Sequence, residues 1–356
     1  MTDLSMKIRT EGAPREAKRT WLLTGLFCLS LFLSGCASFV PQTIELRSIW
    51  PADVPRTTEI RDTPFFPQTE YQCGPAALAT ILGKAGANAS PDELAKEVYL
   101  PGRKGSLQVE MMAAPRRHGL VGSQLPAAYD ALLREVGAGR PVLVLQNLGF
   151  WPFDNWHYAV VVGFDYEKGE LYLRSGATER QALPFTIFEV TWKRSGYWAM
   201  VVTPPETIPA TATEATYLPA LVAFERGATP AQSRTAWEAF QARWPGNALA
   251  SVALSNRYYA DRNLVKATAV LRLAEQKNPG SAEVLNNLAQ MLSDMGHDDE
   301  ALALIDRAAG IKGPFEAEVA ATRAGIIKKL GELDLKLTDY SAFSRGSGER
   351  PTPGQP

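Results

Sequence analysis

Cysteine and histidine are scarce in this chain, with three of each among 356 residues. A basic excess is also missing: the formal net charge is −1 at pH 7. A protein that neutralises nucleic-acid phosphates needs such an excess on some domain, so nucleic acid is not an expected partner. The N-terminal apolar run, residues 21 to 36, is too short for a comfortable membrane span. Neither a nucleotide motif nor a transporter segment follows the globular part, and no residue pattern calls for a cofactor or a metal. What the chain does have is length enough for two domains of ordinary size and several local motifs.

The first motif is N-terminal. Lys7, Arg9, Arg15, Lys18 and Arg19 precede "WLLTGLFCLSLFLSGC". A charged region, a short apolar region and then small residues make a secretory signal. Its last four residues, Leu33-Ser34-Gly35-Cys36, resemble the lipobox of bacterial lipoproteins, in which cleavage falls before the cysteine and its thiol takes a lipid. Cys36 is therefore the expected lipidation site. Ala37, not aspartate, follows it, and by the same resemblance this implies the outer membrane, facing the periplasm.

Processing changes the cysteine arithmetic. Cys28 leaves with the signal, Cys36 carries the lipid, and Cys73 is the one free thiol in an oxidising compartment. It cannot be half of an intramolecular disulfide.

From Arg61 to Thr203 the pattern is mixed. A helix is predicted from Cys73 to Leu82, with Ala77, Leu78, Ile81 and Leu82 on one face and Gly83 ending it. Ser90-Pro91-Asp92-Glu93 reads as a capping box opening a second helix. Two further short helices are expected in "SLQVEMMAAPRRHGL" and "AAYDALLREVGAG". Strands follow at 141–147, 156–165, 170–175 and 197–203, with a hairpin turn at Glu167-Lys168-Gly169. Helices first and antiparallel strands after predict an α+β domain. "PPETIPATATEA" is a linker without apolar period. Beyond it, "WPGNA" at 244–248 and "NPGSA" at 278–282 lie 34 residues apart, as do Ala267 and Ala301. That period, with helical pairs between Pro-Gly turns, resembles the tetratricopeptide repeat. Helices around Ala220–Arg243 and Glu316–Leu330 are expected to cap the stack, since one repeat cannot bury its own apolar face.

Cys73 stands at the start of its helix, where unpaired N–H groups and the helix dipole favour a thiolate. A structural cysteine would sit within the apolar stripe rather than ahead of it, so position argues for a nucleophile, and a nucleophile needs a base. His297 lies in the polar turn "MGHDDE" and is expected to be exposed. His118 precedes Gly119 at a helix end, where it reads as structural. His157 opens the strand "WHYAVVVGFD" after the loop "GFWPFDN" and is the candidate base.

"PQTEYQCGPAALATIL" followed by "WHYAVVVGFD" resembles the papain-like cysteine peptidases that trim double-glycine leaders from bacteriocins, and their stand-alone relatives. The likeness covers residues 61–203. It implies Cys73 as nucleophile, His157 as general base and acid, and Gln68 as the oxyanion donor beside the Cys73 backbone N–H. Gln68 is five residues before the cysteine, where many papain-like enzymes have six. In that family the next strand ends in an aspartate that orients the imidazole; here Ser175 stands in its place, with Asp154, Asn155 and Glu179 nearby as alternatives. Trp151, Trp156 and Tyr71 are expected to line the cleft.

The expected layout is a lipoprotein signal (1–35), a lipidated tether (36–60), a papain-like α+β peptidase domain (61–203), a linker (204–215), an all-α tetratricopeptide-repeat solenoid (216–335) and a disordered tail (336–356). The expected activity is hydrolysis of a peptide or protein in the periplasm through a Cys-His thioester. A protein partner is expected at the repeats, and the membrane is met through the lipid on Cys36. Two alternatives stay open: an acyltransferase using the same thioester, and a peptidase-fold scaffold without catalysis that binds protein.

Overall fold

The computed structural model describes residues 40–67, 72–150 and 152–346. Cys36, Gln68, Tyr71 and Trp151 lie outside them. The chain forms two compact units. Among the described residues, the first comprises those up to Lys84, Asn88–Gln108 and Gln124–Val201; the second comprises Ala85–Ala87, Val109–Ser123 and those from Val202 onward.

In chain order the first part contains α1 (Pro41–Ser48), β1 (Thr57–Glu59), α2 (Cys73–Lys84), α3 (Pro91–Val98), β2 (Tyr99–Leu100), β3 (Gly105–Ser106), α4 (Gln108–Arg117) and β4 (Val121–Gln124). Then come α5 (Tyr129–Gly137), β5 (Val142–Asn147), β6 (Trp156–Asp165), β7 (Glu170–Ser175), β8 (Thr178–Pro184), α6 (Phe185–Lys193) and β9 (Ala199–Thr203).

The sheet of the first unit runs β9-β5-β6-β7-β8, with β1 added on β6. The pairs β9–β5, β5–β6, β6–β7 and β7–β8 are antiparallel. Side chains alternate across a strand, so the two faces carry different cores. Val142, Val144, Ala159, Val161, Leu171 and Leu173 pack with Tyr129 and Leu132 of α5, Phe188 and Trp192 of α6, and Leu46 of α1. Leu143, Leu145, Tyr158 and Val160 are buried on the opposite face, where α2 lies against β5, β6 and β7. Every residue of α2 from Gly74 to Leu82 is buried. The helix is thus fixed on several sides, with Cys73 at its open N-terminus.

Two glycines are required by close approach. A Cβ on Gly163 would lie 2.6 Å from the Thr58 carbonyl oxygen, and the β6–β7 register shifts at this point. A Cβ on Gly149 would lie 2.7 Å from the Asn155 amide nitrogen.

The structure differs from the sequence reading at the edges of this unit. The pattern of residues 36–60 predicts a tether, yet α1 and β1 are built into the fold. No side chain caps α1 from its own N-terminus; instead the fully buried Glu189 of α6 accepts from the amides of Gln42 (3.0 Å) and Thr43 (2.6 Å). A distant carboxylate therefore does what a local cap would do. Helix α6 also goes against its sequence, because "FTIFEVTWK" is rich in β-branched and aromatic residues; burial of Phe185, Phe188 and Trp192 outweighs that propensity.

The second unit is helical: α7 (Glu214–Glu225), α8 (Pro230–Arg243), α9 (Ala248–Ala260), α10 (Leu264–Lys277), α11 (Ala282–Asp294), α12 (Asp298–Ala309) and α13 (Glu316–Gly346). Each helix packs on the next, and α9 also meets α11 as α11 meets α13. This is the packing of helix-turn-helix repeats. Two cores run through it, one around Trp237 and Phe240 and one around Leu285, Leu288 and Ile305. Val121 belongs to the first of these with Tyr217 and Leu221. That contact explains why Val109–Ser123 groups with this unit although its place in the sequence is within 61–203. The last helix continues to Gly346, past the 335/336 boundary where the composition predicts a disordered tail.

Candidate active site

Cys73 and His157 line one cleft, of about 910 Å³, in the first unit. Cys73 comes from the start of α2 and is partly exposed. His157 is the second residue of β6, opposite Gln146 of β5. The remaining wall comes from the β2–β3 hairpin (Arg103 to Ser106), the segment Asp154–Trp156, Gly176, and Arg194 and Ser195 after α6.

His157 Nε2 lies 2.9 Å from Ser175 Oγ. Ser175 ends β7, just before the turn at Gly176, whose φ is +57°. One ring nitrogen is thus engaged by a neutral hydroxyl, and Nδ1 is left for proton exchange. Burial lowers the His157 pKa from its ordinary 6.5, because desolvation disfavours the imidazolium. Ser175 brings no negative charge to offset that effect.

Tyr158, the next residue of β6, reports how close the two elements are. Its phenol is raised above the ordinary range first by burial and then by the charge of Cys73. Its hydroxyl donates to the Ser106 carbonyl at 3.2 Å, which ties the β2–β3 hairpin to β6. The Ser106 hydroxyl is buried without a partner among the described residues.

The mouth of β6 is held by a network that the sequence reading missed. Buried Asn147 accepts on Oδ1 from the amides of Gly149 and Asn155, each at 3.0 Å, and donates from Nδ2 to Asp154 at 2.7 Å. Arg194 donates to the carbonyls of Asn147 and Gly149. Leu148 N–H donates to the Asn155 carbonyl at 2.8 Å. The loop before His157 is therefore clasped rather than loose. The Asn-Leu-Gly at the end of β5 was the one available sequence signal for this clasp.

The structure also separates the four candidate orienters. Asp154 is engaged with Asn147, and Asn155 contributes its main chain to that same clasp. Glu179 accepts on its carbonyl from Arg174 and lines a different pocket with Arg61 and Arg180. Ser175 alone among them meets the imidazole. Trp156 lines the cleft and is 48% exposed. His297 is exposed ahead of α12, and His118 follows α4; neither lines the cleft. Gln68 is outside the described residues. Among the described residues no cluster of side chains suited to a metal ion is present, and no helix is long and apolar enough to cross a membrane.

Residues 60–200 match the family described as Peptidase_C39 like family. Among solved structures, the chain is similar to a C39-like peptidase from Bacillus anthracis, with 19% identity over 42% of this chain and 98% of that one and a TM-score of 0.36. It is also similar to the peptidase domain of Streptococcus ComA, a bifunctional ABC transporter involved in a quorum-sensing pathway, with 18% identity over 40% and 98% and a TM-score of 0.34. A third likeness is to TTC0263, a tetratricopeptide-repeat protein of Thermus thermophilus, with 22% identity over 36% and 81% and a TM-score of 0.28. No curated protein matches the chain.

Proposed function

We propose that this protein is a membrane-anchored cysteine peptidase that cleaves a periplasmic polypeptide, with its repeats recruiting the substrate or a partner. The observation that carries the reading is the placement of Cys73 and His157 on one cleft, with the far ring nitrogen of His157 held by Ser175.

The Cys73 thiolate attacks the scissile carbonyl carbon, forming a C–S bond and a tetrahedral oxyanion. The Cys73 backbone N–H and the Gln68 side chain are the assigned donors to that oxyanion. Collapse breaks the C–N bond, and the leaving amine takes a proton from His157 Nδ1. Water then gives a proton to Nδ1 and attacks the thioester, the C–S bond breaks, and the acid product leaves with thiolate and imidazolium restored. Because Ser175 is uncharged, the imidazolium is stabilised less than by a carboxylate, and activity depends more on the fixed geometry of β6. Cys36 is assigned the lipid that holds the chain at the outer membrane, facing the periplasm.

The test is pH-resolved alkylation. In a soluble chain that starts after Cys36, Cys73 is the single thiol, so the iodoacetamide rate reports its thiolate. Labelling that persists below pH 7 and is lost in His157→Ala supports an activated pair. A thiol that titrates near about 8.5 in both proteins sinks catalysis and leaves a protein-binding scaffold, the reading that an uncharged Ser175 favours.

A further inference from the structure

The chain becomes part of the folded sheet unit almost immediately after Cys36. Gln42 is bound on three sides: its amide donates to Glu189 at 3.0 Å, its side-chain nitrogen donates to the Ala127 carbonyl at 3.1 Å, and its side-chain oxygen accepts from the Tyr129 amide at 2.6 Å. Thr43 follows, its amide on Glu189 at 2.6 Å and its hydroxyl on the Phe185 carbonyl at 3.3 Å. Leu46, one turn on, is 4% exposed in the main core. From Cys36 to Gln42 there are six Cα steps, which reach about 20 Å when fully extended.

This clamp sits on the helical layer. Glu189 is in the middle of α6, and Arg194, which lines the catalytic cleft, is five residues further on. At the rise of a helix that is roughly 8 Å. Helix α1 exposes Ile44 (47%) and α6 exposes Ile187 (52%), each two residues along the chain from a clamp residue.

We infer that this face, formed by α1 and α6 of the sheet unit, lies against the headgroup layer of the membrane that holds the Cys36 lipid. The cleft therefore works on polypeptide presented within about 30 Å of the lipid surface, the sum of chain reach and helix rise. The inference rests on the proposed lipidation of Cys36. A six-step link keeps the unit within about 20 Å of the lipid, and the clamp puts α1 and α6 at the end of that link. The opposite face of the sheet, covered by α2 and then α3, is turned towards the periplasm.

The experiment uses the full lipidated chain in vesicles of phosphatidylethanolamine and phosphatidylglycerol. In a Cys73→Ser background, single cysteines are placed by Ile187→Cys, Ile44→Cys or Lys96→Cys and carry a fluorophore; Lys96 is exposed on α3. Lipids with a spin label on the headgroup act as quencher. The expected result is quenching at Ile187 and Ile44 several-fold stronger than at Lys96, and loss of that difference when thirty Gly/Ser residues are inserted after Ala37. The two separate sites guard against one variant failing to fold. Equal quenching at all three sites in a protein whose mass includes the lipid overturns this inference alone. A mass without lipid, with the chain left in the aqueous phase, overturns the anchoring reading and this inference with it.

Discussion

The two units hold their helices in opposite ways. In the helical unit, Thr213, Thr229, Asn247, Asn263 and Ser281 each accept a hydrogen bond from the amide three residues on, so each of these helices is started by its own cap. In the sheet unit only Ser90, among the described N-caps, does this. Val40, Ala128 and Pro184 contribute no side-chain cap, and their helices are fixed by distant partners such as Glu189. A repeat unit has mostly near neighbours in sequence, so local signals suffice. The sheet unit brings α2, β6, β7 and the segment after α6 to one cleft, and distant contacts dominate it.

This contrast can be broken by mutation, starting with the largest effect. Glu189→Ala removes the acceptor of two buried or part-buried amides of α1; at about 1–3 kcal/mol for each unsatisfied group, a loss of about 3 kcal/mol is expected in urea unfolding of the sheet unit. A change near zero would mean that Leu46 and the other bonds of Gln42 and Thr43 hold α1 without Glu189. Next, Ser175→Ala removes the Nε2 contact of His157 and is expected to slow Cys73 alkylation below pH 7 about tenfold, equivalent to about 1.4 kcal/mol, with no change in melting temperature. Ser175→Asp should move it the other way, since a carboxylate favours the imidazolium.

Smaller effects follow. Ser281→Ala should cost about 1 kcal/mol, seen as faster hydrogen exchange in the first turn of α11 with the alkylation rate unchanged. An effect on Cys73 chemistry would refute the view that caps act locally. Acidification is a further probe. With Cys73 replaced by serine, so that no thiolate pairs with the ring, burial holds the folded pKa of His157 below its ordinary 6.5, so its contribution to stability is complete above 6.5 and is lost as pH falls through the folded value. Unfolding curves of His157→Gln should lack that slope.

The same contrast decides what was legible. The Ser90 capping box, the 34-residue period and the strand beginning at Trp156 are local signals, and each marks a structured element at that place. Cys73 and His157 were legible as candidates because each stands at the opening of an element, and Ser175 only through the resemblance, which looks for an orienter at the end of the next strand. Helices α1 and α6 were not, since their stability comes from Glu189, Leu46 and Trp192 packing across the fold. Strand β8 presents mostly exposed residues, "TERQALP", with no clear apolar alternation. The clasp of Asn147 by Arg194 spans 47 residues, and no window of sequence contains both.

Arg174 has a consequence for genetics. It precedes Ser175, is 6% exposed, and its guanidinium donates to the carbonyls of Arg61, Thr63 and Glu179 while its Nε has no partner among the described residues. One side chain thus joins β7 to the stretch that leads towards Cys73. An Arg174→Lys strain keeps the charge but loses the fork that reaches all three carbonyls, which makes this position a rational source of a heat-sensitive allele: permissive when cool, null when warm, with every cleft residue intact.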